Sequence, residues 1–341
     1  MPRLPRTSAF RLTLIAETGE RFDDFAPYVA SVNDAGVVAF QAAMRTGGSG
    51  VFAGDGESIL TVADSTTGPL GAIRSHPDVS RDGELGFYAD LKTGGQGAFL
   101  ALGGELVAIA RDGGQFQGIG PLGPTLNDRG TLAFRANLSS GRAGIFAGNR
   151  ESVATIADTG GEFSGFQGLP VINQGGTVAF MADLRGGGKA ICASEGGGVR
   201  AIVETGDEFV DLAPFPSIDD RGAVAFAGTR RKTGPGVFGA TADGISPLVG
   251  ESGLFESYRS ALINCNGLVA FCATPRGGQL GVFSGPDPVS DRIISLGEPL
   301  LGSRVTEFAL NPVSVNEAGQ LAIRVGLENK RQAILRADPF T

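Results

Sequence analysis

The sequence predicts an all-β protein: a seven-bladed β-propeller of four-stranded blades whose ring is closed by the N-terminal strand. Three observations indicate this fold. A motif recurs seven times at intervals of about 46 residues, and each interval holds four short apolar segments separated by turn-forming residues. A strand missing from the last interval stands near the N-terminus. Four strands in about 46 residues is the size of a propeller blade.

The recurring motif reads Asn-Asp-Ala-Gly-Val-Val-Ala-Phe at residues 33–40. Its further copies begin at Ser80, Asn127, Asn173, Asp219, Asn264 and Asn316, at spacings of 47, 47, 46, 46, 45 and 52 residues. A second apolar pair, such as Val51-Phe52, ends 18 or 19 residues after each start. Because each unit of a repeat array packs on its neighbours, the length of 341 residues does not imply two domains, and we expect residues 1–341 to form one.

The four apolar segments are predicted to be strands A to D, in chain order. Strand A ends just before the motif, as at 169–172, and strand B follows the motif glycine, as at 177–182. Strand C lies around 144–147, and a hairpin turn joins it to strand D at 152–157.

The Asn-x-x-Gly turn between strands A and B has a local cause. A short Asn or Asp side chain accepts a hydrogen bond from the backbone two residues on, and glycine adopts the left-handed conformation that returns the chain. Ser80 and Asp219 are able to make the same bond. We therefore interpret the seven first motif residues as turn formers rather than as a ring of ligands.

The last motif residue is expected to be buried between blades. It is aromatic in six copies and Ile323 in the seventh; the aromatic residues are Phe40, Phe87, Phe134, Phe180, Phe226 and Phe271.

Strand D is absent from the seventh copy, whose strand C lies at 332–336. An unassigned strand D occurs at residues 10–19, where Phe-Arg-Leu-Thr-Leu-Ile-Ala-Glu-Thr-Gly matches the segment at 151–160. We expect residues 10–19 to complete the last blade with residues 305–337, because closure removes the exposed sheet edges of an open array.

The N-x-x-G-x-x-A-F motif resembles that of a bacterial tandem-repeat family whose members often carry a C-terminal surface-sorting segment. The resemblance covers residues 10–337. It implies a repeat fold, and it implies no established activity or site residues.

Composition narrows the possible functions. A net charge of −8 disfavours nucleic acid or an anionic membrane as the main partner, and no apolar stretch is long enough to span a bilayer. A single histidine excludes a multi-histidine metal site, so neither a metal nor a cofactor is expected. Residues 1–6 do not begin a signal peptide, and the three cysteines fit a reduced interior. The sequence thus predicts a cytoplasmic monomer, or a secreted or envelope protein if a signal was removed.

Candidate site residues appear when the beginnings of the A strands are aligned, four to six residues before each motif. Four copies that become neighbours on ring closure carry polar or aromatic side chains there: Tyr28, Arg74, His76, Tyr258, Arg259 and Asn311. We expect them to converge on one side of the channel mouth, on the face that carries the D–A and B–C loops. Arg74, Arg259 and Asn311 are the candidate ligand-binding residues; Tyr28, His76 and Tyr258 are the candidate acids and bases of an enzyme.

Two functions follow from these residues. The first is a non-catalytic binding or scaffold propeller that takes a small acidic ligand or a partner segment at the channel mouth. The alternative is an enzyme with lyase- or hydrolase-type acid/base chemistry on an acidic substrate at the same mouth. A closed pocket around His76 would favour the enzyme, and an open mouth would favour the binding module.

Overall fold

The computed structural model describes residues 9–250 and 253–340 and shows seven antiparallel sheets. They form the predicted seven-bladed propeller, since each sheet contains one copy of the repeat. The expectation about residues 1–6 lies outside the described residues.

Each blade is described from strand A, nearest the channel, to strand D at the rim. Blade 1 contains Phe22–Asp24, Ser31–Val32, Val38–Met44, Ser49–Gly54 and Ile59–Asp64. Blade 2 contains Leu70–Ile73, Asp78–Val79, Leu85–Leu91, Gln96–Leu102 and Glu105–Arg111. Blade 3 contains Phe116–Ile119, Thr125–Leu126, Leu132–Leu138, Ala143–Gly148 and Val153–Asp158. Blade 4 contains Phe163–Ile172, Val178–Leu184, Lys189–Glu195 and Gly198–Glu204.

The remaining blades follow the same order. Blade 5 contains Phe209–Leu212, Ser217–Ile218, Val224–Arg230, Gly234–Thr241 and Gly244–Val249. Blade 6 contains Phe255–Ile263, Val269–Pro275, Gly281–Phe283 and Arg292–Ser295. Blade 7 contains Ser303–Ala309 as strand A, then Leu321–Leu327, Gln332–Pro339 and Phe10–Glu17. It also has a short extra strand, Pro299–Leu300, paired with the start of Ser303–Ala309, and a 3-10 turn at Pro312–Ser314.

The N-terminal strand closes the ring as predicted. Phe10–Glu17 pairs antiparallel with Gln332–Pro339, with Phe10 opposite Pro339 and Glu17 opposite Ala333. It is the outermost strand of blade 7, so a single sheet joins the two ends of the repeat array.

The predicted start of strand A is wrong. Strand A begins about ten residues before each motif, and in blades 1, 2, 3 and 5 it consists of two short pieces with an irregular segment between them. Prolines explain the interruption, because proline has no N–H to donate to the ladder. They stand in the irregular segment of each of these blades: Pro27, Pro77, Pro121, Pro124, Pro214 and Pro216. The candidate site residues therefore lie midway along the innermost strands rather than at their beginnings.

The motif aromatic residues are buried as predicted. All six Phe side chains and Ile323 are fully inaccessible to solvent. Each packs against the preceding blade: Phe134 of blade 3, for example, belongs to the same core cluster as Leu100 of blade 2. In five blades the ring also contacts a strand C phenylalanine, as in the stacked pair Phe134–Phe146, whose centroids are 5.6 Å apart.

The Asn-x-x-Gly turns do more than reverse the chain. Asn33 Oδ1 accepts from the backbone N–H groups of Ala35 and Val37, which is the predicted local bond. Its Nδ2 also donates to the backbone carbonyl of Ser80 in the next blade, at 2.9 Å. The same inter-blade bond, here called the clasp, is made by Asn127, Asn173, Asn264 and Asn316. Ser80 and Asp219 have no amide donor for it.

No helix among the described residues is long and apolar enough to cross a membrane.

Candidate functional site

His76 and Asn311 meet in the channel although 235 residues separate them. Asn311 Nδ2 lies 3.4 Å from His76 Nε2, and both side chains are buried. The imidazole also lies against the backbone of Gly123, where an added Cβ would come within 2.6 Å of the ring. These contacts seal His76, which is only 3% exposed, inside the ring.

The hydrogen bonds of His76 fit a neutral imidazole. Nδ1 lies 3.3 Å from the carbonyl of Pro77, so it carries the proton, and Nε2 is left to accept from Asn311. Burial lowers the pKa of His76 to about 4. The Asn311 side chain makes a second hydrogen bond, because its Oδ1 accepts from Val313 N and caps the 3-10 turn.

Tyr28 and Arg74 form a second group. Arg74 Nε donates to Asp90 at 2.8 Å, and its guanidinium is close enough to Tyr28 to affect the pKa of the phenol. Burial is the larger effect and raises that pKa. Arg74 is exposed and Tyr28 is half-buried, so both are reachable from solvent.

Tyr258 and Arg259 point in different directions. The Tyr258 ring packs on Phe255 and Phe271 in the core between blades 5 and 6, and its hydroxyl is buried without a partner among the described residues. Burial raises the pKa of Tyr258 to about 12. Arg259 is exposed near Cys272, on the other side of the strand, and has no ion pair among the described residues. The structure thus brings His76 to Asn311 and Tyr28 to Arg74, and it places the Tyr258 ring against the core between blades 5 and 6.

Arg135 is a cation that the sequence analysis did not single out. It follows the motif Phe134 on strand B of blade 3 and donates to the carbonyl of Gly168 at 3.0 Å. It has no ion pair among the described residues, and burial lowers its pKa. The sequence could have indicated Arg135, because the residue that follows the last motif residue is uncharged in five other blades: Gln41, Tyr88, Met181, Ala227 and Cys272.

A cavity of about 130 Å³ opens at the channel end formed by the A–B turns. We call this end the turn mouth and the opposite end, on the side of the D–A and B–C loops, the loop mouth. Most of the charged residues that line the turn mouth are carboxylates: Asp34, Asp78, Asp128, Asp219, Asp220 and Glu317. Arg81 is the one cation among the described residues that line it, and it lies 3.3 Å from Asp34 and 3.6 Å from Asp128.

Asp78 is the most deeply buried of these carboxylates. Its oxygens accept from the backbone N–H groups of Leu126, at 2.6 Å, and Val79, at 2.9 Å. Burial raises the pKa of Asp78 to about 7, and the charge of Asp128 acts in the same direction.

Three residues of the described chain have a geometry suited to a metal ion. Asp220, Cys265 and Glu317 each place one ligand atom so that all three atoms lie within 4.8 Å of one another. They occupy the second position of three consecutive turns, in blades 5, 6 and 7.

No curated protein sequence matches the chain. Similar solved structures include oligogalacturonate lyase from Vibrio parahaemolyticus, with a TM-score of 0.59 and 13% identity over 96% of this chain and 98% of that one. Polysaccharide lyase Uly1 has a TM-score of 0.53 and 11% identity over 95% and 93% of the two chains. Prolyl oligopeptidase B from Galerina marginata has a TM-score of 0.53 and 10% identity over 90% of this chain and 47% of its own. At these identities the likeness shows the shared propeller fold alone.

The resemblance to the N-x-x-G-x-x-A-F repeat family stays a prediction, but membership of another family is shown. The model for a family of unknown function, DUF7453, matches residues 4–245, which is more than half of the sequence, and the chain belongs to that family.

Proposed function

We propose that the protein is a non-catalytic binding propeller that takes an anionic group, carried by a small acidic molecule or by a partner segment, at the loop mouth. The observation that carries the proposal is Arg259. Its guanidinium is exposed on the innermost strand of blade 6 and has no carboxylate partner among the described residues. A guanidinium offers a planar fork of donors that matches a carboxylate or phosphate.

Arg135, on strand B of blade 3, and Arg74, in the irregular segment of strand A of blade 2, supply further positive charge. Arg135 uses one donor on Gly168 and keeps the others for a ligand. Asp90 binds Nε of Arg74, and part of the Arg74 guanidinium stays exposed. Asn311 is not used as a direct ligand in this proposal, because its side chain is buried and already binds Val313 and His76.

The acid/base groups argue for binding rather than catalysis. A general acid or base must reach the substrate and have a pKa near the working pH. The enzyme requires a closed pocket around His76 that a substrate can enter, but Gly123 and Asn311 fill the space beside the imidazole, and burial lowers its pKa to about 4. The hydroxyl of Tyr258 is buried, with its pKa raised to about 12. Tyr28 is reachable, but burial raises its pKa as well.

The test is calorimetric titration of the full chain with trigalacturonate and with citrate, using cellotriose as the uncharged control. We expect the anionic probes to bind and cellotriose not to bind. Arg259→Ala should weaken the anionic probes by about 1–3 kcal/mol, the scale of a hydrogen bond to a charged group. Arg45→Ala is the matched control, because Arg45 is an exposed loop arginine that binds the carbonyl of Gly19. Equal losses in the two variants would contradict the proposal.

A lyase is the second candidate, favoured by the two lyases among the similar structures. Such an enzyme would neutralise the substrate carboxylate with an arginine and move the proton with Tyr28, the accessible one of the three predicted acid/base residues. Incubating the protein with trigalacturonate separates the two functions, because elimination gives an unsaturated product that absorbs in the ultraviolet. Product formation that Tyr28→Phe abolishes would replace the binding proposal with the lyase.

A further inference from the structure

The turn mouth brings a thiol between two carboxylates from neighbouring blades. Cys265 is the second residue of the blade 6 turn, and Asp220 and Glu317 are its counterparts in blades 5 and 7. Their ligand atoms lie within 4.8 Å of one another. Tetrahedral ligands at zinc bond lengths are about 3.5 Å apart, so small side-chain rotations would close the three atoms around one ion.

Backbone hydrogen bonds already orient the two carboxylates. Asp220 Oδ1 accepts from Gln174 N at 2.8 Å, and Glu317 accepts from Cys265 N through Oε2 at 2.9 Å and Oε1 at 3.2 Å. Within the described part of the chain, the second oxygen of Asp220 accepts no hydrogen bond, and each Glu317 oxygen keeps a lone pair. The donors that fix these side chains therefore leave acceptor capacity for a cation.

An independent observation points to a missing ligand in the same cavity. Ser217, on the inner strand of blade 5, lines the turn mouth together with Asp220 and Glu317. It is 2% exposed, and its hydroxyl has no hydrogen-bond partner among the described residues. A buried hydroxyl without a partner is uncommon unless a water or a bound group completes its bonding.

The surrounding charge favours a cation at this position. Asp34 and Asp219 also line the cavity, while Arg81 belongs to blade 2 and is held between Asp34 and Asp128. None of the ion pairs among the described residues includes Asp220 or Glu317.

We propose that Asp220, Cys265 and Glu317 form a binding site for a divalent transition-metal ion, of which Zn²⁺ is the best match. A thiolate selects zinc-like ions over magnesium and calcium, and two carboxylates complete three protein ligands. A fourth position would remain for a water or a ligand group, and the two carboxylate residues line the cavity of the turn mouth. This site is independent of the loop mouth and of the proposed anion-binding function.

The test is titration of the full chain, freed of metal with a chelator, with Co²⁺ as a spectroscopic substitute for Zn²⁺. We expect a thiolate-to-cobalt charge-transfer band in the near ultraviolet that saturates at one Co²⁺ per chain and disappears when Zn²⁺ is added. Cys265→Ser should abolish the band. Cys192→Ala, which removes a buried cysteine of blade 4, should retain it and is the matched control.

The carboxylates are tested by Asp220→Asn and Glu317→Gln, each of which should weaken Co²⁺ binding by roughly tenfold or more. Thermal unfolding without metal checks that the variants fold, since Cys265 is half-buried in a turn. A band that survives in Cys265→Ser would overturn the proposal. So would unchanged affinity in both carboxylate variants, because the thiol would then bind metal without the cluster.

Discussion

Asp78 illustrates how a single buried residue makes the stability of this ring depend on pH. Its pKa is about 7 in the folded protein, against about 3.9 for an ordinary Asp, so the folded state binds the proton more tightly. As the pH rises from about 4 to 7, the unfolded chain ionises first, and the free energy of unfolding falls. Asp78→Asn removes this loss. The free energy of unfolding of the variant minus that of the wild type, measured by urea denaturation, should therefore be larger at pH 8 than at pH 5, by on the order of 1–3 kcal/mol.

His76 provides the control of opposite sign. Its folded pKa of about 4 lies below the ordinary value of about 6.5, so the unfolded chain binds the proton more tightly between these values. The free energy of unfolding therefore falls as the pH drops through this window, and His76→Gln should remove that acid loss. If the difference between Asp78→Asn and the wild type were the same at pH 5 and pH 8, the buried-carboxylate argument would fail.

At the scale of the element, the turn joins neighbouring blades through one amide group. Asn173 Nδ2 donates to the carbonyl of Asp219 at 3.0 Å, while its Oδ1 holds the local turn. Asn173→Asp keeps the acceptor and removes the donor, so the turn should survive and the clasp should be lost. We expect a loss of about 0.5–1.5 kcal/mol in the free energy of unfolding, measured by chemical denaturation.

The natural Asp219 allows the reverse experiment. Asp219 Oδ1 accepts from the N–H groups of Arg221 and Ala223, as the Asn residues do, but it has no amide to reach Asn264. Asp219→Asn should therefore add a clasp and stabilise the protein. An unchanged free energy of unfolding in both variants would show that the clasp contributes nothing beyond the turn.

Local patterns in the sequence predicted the elements whose causes are local. The Asn33 turn, strands B to D and the buried motif phenylalanines depend on alternation and on turn residues within one repeat. The strand pattern did not predict the break in strand A, which Pro27 and Pro77 cause because proline has no N–H to donate to the ladder. The clasp was missed because the donor half of Asn33 binds a residue 47 positions away, which periodicity alone does not reveal.

At the scale of the molecule, ring closure determined which candidate residues could meet, and burial determined what they could do. The sequence predicted that His76 and Asn311 lie in nearby blades, and they do meet, but His76 is also covered by Gly123 of blade 3, and the Asn311 side chain caps the 3-10 turn that follows it. The cluster of Asp220, Cys265 and Glu317 was not predicted, because its members are 45 and 52 residues apart and follow no known spacing of metal ligands.

Closure also explains why the first strand is decisive for the whole ring. Phe10–Glu17 is the outermost strand of blade 7, and its Ile15 and Ala16 pack into the core between blades 7 and 1. Deleting residues 1–18 should expose the edge of Gln332–Pro339 and open this core. We expect aggregation or a lower and broader thermal transition, followed by calorimetry and light scattering.

A circular permutant shows whether the deletion acts by opening the ring or simply by removing residues from the chain. The carbonyl of Ala9 accepts from the N–H of Phe340 at 3.0 Å, so the strand can follow residue 341 through a short linker and still pair with Gln332–Pro339. This permutant contains the same residues, moved from one end of the chain to the other. It should remain monodisperse with a melting temperature close to that of the wild type, because the sheet is rebuilt. A deletion variant that unfolds like the wild type would mean that the ring is stable without this strand, since neither its hydrogen bonds nor its apolar contacts would then be required.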